Sequence, residues 1–334
     1  MIKYAIIGCG RIGERHAEQA NTKGKLIAVC DIIPERANEL GKKYSALPFY
    51  SPDEMLAANT GADVITICTP NGLHAEHSIK ALNAGYHVLC EKPMAITSRD
   101  CLQMIQTADN CTKHLLAVKQ NRYNPPVIAL KEAIEGNKLG KIFSVQLNCF
   151  WNRNNEYYQN SWHGSKSMDG GTLFTQFSHF IDLLYWMFGE LKEAEGFTAN
   201  FHHKHIIDFE DTGCFSILFE NGIIGTINYT VNSFGKNMEG SLTVFGEKGT
   251  IKVGGEYLNK LEWQNIEGFT INNIPESQKA NEYGSFTGSM SNHDKVYENI
   301  NEVLLRNGKA TTSAFDAMKT VEFIEFLYKS SKKI

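Results

Sequence analysis

Short apolar segments alternate with helix-like segments through the first third of the 334-residue chain. The helix-like segments occupy 11–23, 34–44, 74–84 and 98–110. Continuous apolar strands separated by helices are typical of a parallel sheet that is covered on both faces. The alternation therefore predicts a doubly wound α/β domain, with strands in IKYAIIG, KLIAVCD, ADVITICTP, YHVLCEKP and HLLAVKQ.

The first strand ends in the turn GCGRIG, which leads into the first helix. Its three glycines suit a tight turn, close approach of the backbone to a pyrophosphate, and close packing of helix on sheet. Asp31 follows about 20 residues later, where a carboxylate binds ribose hydroxyls and repels a 2′-phosphate. We therefore predict a site that prefers NAD over NADP and includes Gly8, Gly10, Arg11, Ile12, Gly13 and Asp31.

Two later loops are predicted to line the same site, because ligands of doubly wound sheets bind beyond the carboxyl ends of the strands. In the loop after YHVLC, Pro93 has no N–H for the sheet, so it ends the strand and biases Lys92 toward extended backbone. Lys92 is thereby predicted to reach over the nicotinamide as a catalytic residue. The other predicted cofactor contacts are Thr69, Pro70, Asn71, His74, Glu91 and Gln120.

The second part of the chain has a different period. Its segments KIFSVQLNCFWN, DTGCFSILFE, GIIGTINYTVNS, GSLTVFG and GTIKVGG alternate apolar and polar residues, which is typical of antiparallel strands with one covered face. One helix is predicted in DGGTLFTQFSHFIDLLYWMFG, with a packing stripe at Leu173, Phe177, Phe180, Leu184 and Met187. We predict an α+β domain with a large, mostly antiparallel open sheet at 121–334, after a Rossmann domain at 1–120.

Thr175 and His179 are four residues apart on this predicted helix, so they share a face and can point together into a cleft. A histidine beside an apolar stripe can equally be a core residue with satisfied hydrogen bonds. The residues alone leave both interpretations open.

The motifs GCGRIG, TPNGLH and EKP, in this order and spacing, resemble the glucose–fructose oxidoreductase, inositol dehydrogenase and rhizopine catabolism family of NAD(P)-dependent sugar oxidoreductases. The resemblance covers nearly the whole chain. It implies a Rossmann domain followed by an open-sheet domain that mediates oligomerisation, and it makes Lys92 and His179 catalytic partners. Family members commonly have an aspartate where Thr175 stands, so Thr175 is a departure at a candidate catalytic position.

A longer set of segments, including VKQNR, FWNRNNEYY and EDTG, resembles bacterial enzymes that oxidise the C3 hydroxyl of UDP-linked N-acetylglucosaminuronate for surface polysaccharide. Such a nucleotide sugar carries a diphosphate, a carboxylate and two rings, so a protein of formal net charge −4 needs local cations and aromatic platforms to bind it. The candidate substrate contacts are Lys92, Lys119, Arg122, Trp151, Arg153, Tyr157, Tyr158, Trp162, His163, Gln176 and His179.

Composition argues against several other classes of protein. The net charge of −4 and a pI near 6.3 give no general attraction to nucleic acid or to an anionic membrane. The start lacks the features of a signal peptide, no apolar stretch has the length of a membrane span, and the eight cysteines form no C-x-x-C pair. We predict a reduced cytoplasmic protein with no metal, and we interpret HHKH at 202–205 as an exposed loop.

The predicted mechanism has His179 taking the hydroxyl proton while a protonated Lys92 polarises the growing carbonyl, in a cleft between the domains. The two roles can also be exchanged. Two other functions stay open, a dehydrogenase of a free sugar or inositol and an NAD-binding regulator without turnover.

Association is predicted from the sheet. Alternating apolar positions at Ile217, Phe219, Ile227 and Tyr229 suggest that neither face is simply solvated, which favours a homotetramer, or next a dimer. The polar segment 264–289 is a lid or an oligomer arm.

Overall fold

The computed structural model describes residues 1–159, 161–282 and 287–334. They form two compact units, one of 1–119 with 293–321 and one of 120–292 with 322–334. The predicted boundary at residue 120 agrees with the end of the first stretch. The prediction did not include the later stretch 293–321 in the first unit. An amphipathic helix near the end of a chain shows in its sequence that it packs, but not on which domain it packs.

The first unit contains a six-stranded parallel sheet in the order β3-β2-β1-β4-β5-β6. Its strands are β1 (Lys3–Ile7), β2 (Lys25–Cys30), β3 (Leu47–Phe49), β4 (Val64–Ile67), β5 (His87–Cys90) and β6 (Leu115–Ala117). The predicted doubly wound sheet is confirmed, with all five predicted strands in place. The sequence analysis missed β3, a three-residue edge strand whose Pro48 is tolerated because edge strands leave some N–H positions unpaired.

Helices α1 to α5 connect these strands, and a sixth helix packs on them from the far end of the chain. Three predicted intervals match α1, α2 and α5 to the residue, and Thr97 caps α5 by accepting a hydrogen bond from Asp100 N at 3.1 Å. Lys23 of α1 bonds Glu298 of α10 at 2.7 Å. The helices are α1 (Arg11–Lys23), α2 (Pro34–Tyr44), α3 (Pro52–Ala57), α4 (His74–Asn83), α5 (Ser98–Asn110) and α10 (His293–Arg306), and α11 (Ala314–Lys329) carries the chain back into the second unit.

The second unit contains an eight-stranded sheet in the order β13-β12-β11-β7-β10-β9-β8-β16. Among the strands that the structure describes in this sheet, only the pairs β7–β10 and β8–β16 are parallel, which confirms a mostly antiparallel sheet. The prediction missed β8, β13 and the three-residue β16; in β8 and β13, lysine and glutamate interrupt the apolar alternation. The strands are β7 (Ile142–Phe150), β8 (Leu191–Ala199), β9 (Thr212–Phe219), β10 (Ile224–Thr230), β11 (Glu239–Gly246), β12 (Gly249–Gly254), β13 (Lys260–Ile266) and β16 (Ser331–Lys333).

The predicted single helix over DGGTLFTQFSHFIDLLYWMFG is wrong, because two helices occupy it. Helix α8 (Thr172–Thr175) ends before Phe177, and α9 (Ser178–Phe188) begins after it. Thr175 and His179 therefore do not share a face of one helix. The hydroxyl of Thr175 bonds back to Asp169, and such local bonds compete with helix continuation. The packing role of the apolar stripe is confirmed, since its five residues are buried.

One face of the second sheet packs against helices of its own unit. The rings of Phe177 and Tyr229 lie 5.9 Å apart, and Phe219 lies 5.8 Å from Phe188 and 6.2 Å from Phe323. Ile217, Phe219, Ile227 and Tyr229 are thus buried within the chain, which corrects their use as a sign of association. The opposite face carries the aligned row Glu195, Ser216, Thr226, Gln146, Thr243, Lys252 and Trp263.

Shorter elements complete the second unit. Helices α6 (Pro125–Glu135) and α7 (Asn155–Tyr158) precede α8, and β14 (Ala280–Glu282) pairs with β15 (Thr287–Met290). Part of the predicted lid or arm, 283–286, lies outside the described residues. Within the described ranges, each helix is too short or too polar to cross a bilayer.

Candidate functional site

The glycine turn is shaped by three different constraints. Gly8 has φ +100°, and a Cβ there would lie 2.5 Å from the carbonyl oxygen of Cys68. A Cβ on Gly13 would overlap the carbonyl oxygen of Gly8, so this residue allows α1 to pack on the turn. A Cβ on Gly10 would meet nothing within 4 Å. Gly10 therefore keeps space in front of the α1 N-terminus, where backbone N–H groups attract a pyrophosphate.

Asp31 is fixed by two backbone groups at the end of β2. Its Oδ2 accepts a hydrogen bond from Cys9 N of the glycine turn at 2.8 Å, and its Oδ1 accepts one from Ile33 N at 2.9 Å. The half-buried carboxylate is thus held beside the turn that faces the pyrophosphate. This placement suits a group that binds ribose hydroxyls.

His74 joins the loops that follow β4 and β5. It is buried, with Nδ1 2.7 Å from the carbonyl oxygen of Pro93 and Nε2 2.8 Å from that of Thr69. Burial lowers the pKa of His74, and the two carbonyl acceptors oppose that change. The predicted cofactor contact through this ring is corrected to a structural role, because both ring nitrogens lie within hydrogen-bond distance of backbone carbonyl oxygens. Asn71 is buried in the short 3-10 turn after Pro70.

The EKP motif presents its two charged side chains differently. Glu91 is buried and bonds His16 Nε2 at 2.8 Å, so its carboxylate faces the interior of the first unit instead of a cofactor. Lys92 lies just after the end of β5, as predicted from Pro93, and its side chain is half-buried. Lys119 also belongs to the first unit, where it is buried and its Nζ donates to Thr320 Oγ1 at 3.2 Å.

In the second unit, His179 lies in a buried polar group with Gln120 and Ser289. The Nε2 of Gln120 is 3.2 Å from His179 Nε2 and 3.0 Å from Ser289 Oγ. An amide nitrogen is only a donor, so this assignment makes His179 Nε2 the acceptor. An imidazole with a lone pair at Nε2 is the form that a general base requires. The sequence analysis gave Ser289 no role at the site, because it is the last residue of the irregular polar segment 264–289 and belongs to no motif.

Arg122 has a different role from the predicted one. Its guanidinium makes a bidentate ion pair with Asp182, with Nε and Nη2 each 2.8 Å from a carboxylate oxygen, and both side chains are buried. The ring of Trp186 lies 5.0 Å from the guanidinium carbon. Bidentate pairing in the interior uses the geometry by which arginine recognises carboxylates. Arg122 therefore braces α9 and is removed from the candidate substrate contacts.

Arg153 is the centre of a second buried group. Its Nε donates to Gln176 Oε1 at 2.7 Å, and its guanidinium carbon lies 5.0 Å from the ring of Trp151 and 5.3 Å from that of Tyr157. Gln176 Nε2 in turn donates to Tyr157 OH at 2.8 Å. Burial lowers the pKa of Arg153. The structure thus brings together four predicted substrate contacts, one of which is a cation bonded to a neutral amide.

The remaining aromatic candidates differ in exposure. Trp151 is buried, and its Nε1 donates to the carbonyl oxygen of Glu256 at 3.0 Å, so it packs beneath Arg153. Tyr158 is buried against Tyr157. Trp162 and His163 are half-buried and stacked, with ring centroids 3.9 Å apart. Among the aromatic candidates, only Trp162 and His163 have rings accessible enough to stack against the ring of a ligand.

The interpretation of HHKH at 202–205 as an exposed loop needs correction. The HHKH segment is not a wholly exposed loop, because His203 is buried with Nδ1 3.2 Å from Asp211 Oδ2 and Nε2 3.0 Å from the carbonyl oxygen of Arg153. Its ring therefore anchors the backbone of Arg153.

Thr175 donates to the carbonyl oxygen of Asp169 at 3.1 Å and also contacts the Asp169 carboxylate. Sequence reasoning missed Asp169, which lies six residues before Thr175.

Comparison with known proteins defines the class. Residues 2–119 match the GFO_IDH_MocA oxidoreductase family with its NAD-binding Rossmann fold, and residues 127–252 match the GFO/IDH/MocA C-terminal domain. The chain belongs to this family, and its first unit is an NAD-binding Rossmann domain. The predictions of family, of an NAD-dependent oxidoreductase and of NAD as cofactor are confirmed.

Three similar proteins are named as dehydrogenases. The structure of the WlbA dehydrogenase from Bordetella pertussis, in complex with NADH and UDP-GlcNAcA, is 32% identical with a TM-score of 0.88, and the match covers 98% of this chain and 96% of that one. D-glucoside 3-dehydrogenase of Escherichia coli K12 is 33% identical over 145 residues, 42% of this chain and 41% of the enzyme. Glucose-6-phosphate 3-dehydrogenase of Bacillus subtilis is 31% identical over 192 residues, which are 56% of this chain and 54% of that enzyme. The matches thus span about half the length of these two enzymes.

Proposed function

We propose that the chain oxidises the C3 hydroxyl of a UDP-linked N-acetylglucosaminuronate with NAD. The observation that carries this proposal is the likeness to the Bordetella pertussis WlbA dehydrogenase. It extends over 98% of the chain, and that protein was crystallised with NADH and UDP-GlcNAcA. The product is the 3-keto sugar, an intermediate suited to transamination in surface polysaccharide synthesis.

The second unit contains groups suited to an anionic sugar. Arg153 is a buried cation that bonds the neutral amide of Gln176, and a positive charge of this kind suits a carboxylate or a diphosphate. Trp162 and His163 offer a half-buried stacked surface for a ring. These features support a nucleotide sugar over an uncharged polyol.

The reaction requires a hydride acceptor, a base and a stabiliser of the carbonyl oxygen. Bound NAD supplies the hydride acceptor. His179 accepts the C3 hydroxyl proton at Nε2, the atom that receives the Gln120 amide N–H in the structure. Lys92 donates a hydrogen bond to the same oxygen as its negative charge grows. Loss of one hydride and one proton converts the alcohol to the ketone, so the step balances.

A second candidate is a dehydrogenase of a free or phosphorylated sugar, or of inositol. The partial matches to D-glucoside and glucose-6-phosphate 3-dehydrogenases favour it, because both names place oxidation at C3. An NAD-binding regulator without turnover is the third candidate, and the presence of both Lys92 and His179 argues against it.

The experiment is a substrate comparison on one preparation. The purified protein is mixed with NAD and, separately, with UDP-GlcNAcA, UDP-N-acetylglucosamine, glucose 6-phosphate and myo-inositol. NADH absorbance measures turnover, and mass spectrometry of the sugar detects the loss of two hydrogens. We expect both signals with UDP-GlcNAcA alone. Turnover with only a free polyol would replace the proposal by the second candidate, and NAD binding without any turnover would favour the regulator.

We further propose that the chain forms a homotetramer, or next a dimer, in which the open face of the second sheet packs against a second copy. Three large apolar side chains, Phe197, Ile224 and Trp263, are 49%, 57% and 60% exposed there. Their register partners Cys214, Ser144 and Lys252 show that they project from this face. Burying them against a second copy would remove apolar surface from water.

A further inference from the structure

A buried polar chain lies behind Lys92 in the first unit. Glu91 is 4% exposed, and its two oxygens have different partners. Oε1 is 2.8 Å from His16 Nε2 on α1, and Oε2 accepts the backbone N–H of Lys92 at 2.9 Å. His293, the first residue of α10, places its Nε2 3.6 Å from Oε1. The carboxylate therefore connects the Lys92 peptide to α1 by hydrogen bonds and lies beside the first residue of α10.

The hydrogen bonds continue from Glu91 in a single direction. His16 Nδ1 is 3.0 Å from Tyr297 OH, which is 3.2 Å from Thr66 Oγ1 on β4. Because a carboxylate only accepts, His16 donates from Nε2 and accepts at Nδ1. Tyr297 then donates to His16 and accepts from Thr66. One set of proton positions satisfies all three contacts, so each member fixes the orientation of the next.

The carboxylate in this chain is ionised. Burial alone would raise the pKa of Glu91, but the imidazoles of His16 and His293 lower it well below its usual range. Burial lowers the pKa of His16, which keeps this imidazole neutral. Hydrogen bonds to an ionised acceptor are shorter and stronger than neutral ones. The bond from Lys92 N to Glu91 is therefore a firm constraint on the lysine backbone.

The same three residues have the ligand types of a metal site, and their ligand atoms lie within 4.8 Å of one another. The distances favour a hydrogen-bond network instead. The 2.8 Å separation of His16 Nε2 and Glu91 Oε1 is that of a direct N–H···O bond. The other nitrogen of His16 is already bonded to Tyr297, so His16 has no nitrogen left for an ion, although both ring nitrogens of His293 lack a hydrogen-bond partner among the described residues.

We propose that Glu91, bonded by His16 and flanked by His293, is a positioning residue that fixes the backbone of Lys92 for catalysis. The proposal rests on the catalytic role proposed for Lys92. Glu91 itself faces the interior, so it acts through the lysine. A misplacement of about 1 Å at a reacting group can cost about 100-fold in rate, which gives this constraint a measurable effect.

The test is a double-mutant cycle with Glu91→Gln and Lys92→Ala, assayed with UDP-GlcNAcA and NAD. Glu91→Gln keeps the shape but removes the charge, and we expect kcat to fall about 10- to 100-fold, with melting temperature and NADH affinity nearly unchanged. In the Lys92→Ala background the same substitution should change kcat by less than about twofold, because the group through which it acts is absent. Glu298→Gln, at a surface glutamate of α10, is the matched control and should leave kcat unchanged.

The outcomes separate this inference from the proposed function. If Lys92→Ala retains turnover, the proposed role of Lys92 falls and the inference falls with it. If Lys92→Ala is inactive but Glu91→Gln keeps near-normal kcat, or the two losses multiply, only the inference is overturned. A stoichiometric divalent metal in the wild-type protein that is lost in Glu91→Gln would also overturn it.

If Glu91→Gln does not fold, His293→Gln provides the second test, because it leaves the bonds of Glu91 to His16 and Lys92 in place. We expect a fall in kcat of about threefold or more that vanishes in the Lys92→Ala background. An unchanged kcat in His293→Gln, at equal melting temperature, would overturn the part of the proposal that concerns His293.

Discussion

Replacement of Glu210 by glutamine should stabilise the second unit at alkaline pH. Glu210 is buried, and its Oε1 accepts hydrogen bonds from Tyr328 OH at 2.7 Å and Tyr229 OH at 3.1 Å. Burial raises its pKa from 4.5 to about 7; the two tyrosine hydroxyls oppose this rise, and the nearby Asp169 adds to it. A glutamine side chain keeps the acceptor oxygen for both hydroxyls and removes the cost of ionisation.

The sign follows from proton binding. Between pH 4.5 and about 7 the unfolded glutamate is ionised while the folded one keeps its proton, so stability falls as the pH rises through this range. At about 1.4 kcal/mol per pH unit, the rise from 4.5 to about 7 corresponds to about 3 kcal/mol. Glu210→Gln should lack this loss. The difference in unfolding free energy between variant and wild type should therefore grow by about 2 to 3 kcal/mol from about pH 5 to about pH 8.

Tryptophan fluorescence is suited to the measurement, because all four tryptophans, at 151, 162, 186 and 263, lie in the second unit. With a urea dependence of about 2 kcal/mol per M, the predicted change corresponds to a relative shift of about 1 M in the unfolding midpoint. Glu220→Gln, at an exposed glutamate of the same unit, is the control and should show no such pH dependence. A midpoint difference for Glu210→Gln that stays constant over the pH range would refute the reasoning.

Three further predictions concern the cofactor, the reaction and assembly. We expect the wild-type protein to bind NAD about tenfold or more tightly than NADP. Asp31→Asn removes the charge beside the glycine turn, so this preference should be smaller for the variant in a binding titration. Equal affinities of the wild type for NAD and NADP would contradict the prediction. Lys92→Ala should fold and bind NAD within a few-fold of wild type but lose about 100-fold in turnover. Lys42→Ala, at an exposed lysine of α2, is its control, and near-normal turnover in Lys92→Ala would remove the lysine from the mechanism. Light scattering should give a tetramer that Trp263→Glu weakens, whereas a wild-type mass near 37.5 kDa at micromolar concentration would exclude association.

The first unit was largely predictable because its signals are local. A parallel sheet covered on both faces requires apolar strands and intervening helices, and the glycine turn needs residues without Cβ at Gly8 and Gly13. What the sequence did not show is the partner of a polar side chain. Glu91 and His74 stand in the predicted cofactor loops, yet their polar atoms bond to protein groups up to 75 residues away.

The candidate site in the second unit was harder to predict for the same physical reason. Arg122 and Arg153 are both arginines near aromatic residues, and both are buried. Their partners differ: a carboxylate from α9 pairs with Arg122, whereas Arg153 bonds the side-chain amide oxygens of Gln176 and Asn237 and the backbone oxygen of Asn152. No local pattern contains that difference, because Asp182 lies 60 residues from Arg122.

This contrast also determines where an anionic substrate would be recognised. Bringing a diphosphate or carboxylate to Arg122 would require displacing Asp182 from a buried bidentate pair and leaving that acid without its counter-charge, which costs about 3 to 5 kcal/mol for a buried pair. Arg153 bonds the amide oxygen of Gln176, and an anion bound beside it would oppose the lowering of its pKa by burial. An anionic substrate should therefore raise the stability of the wild-type protein, and Arg153→Gln should abolish that gain while Arg122→Gln mainly destabilises the protein without ligand. Comparison of melting temperatures with and without UDP-GlcNAcA measures both effects. A ligand-induced gain that survives Arg153→Gln would assign the anion to another cation.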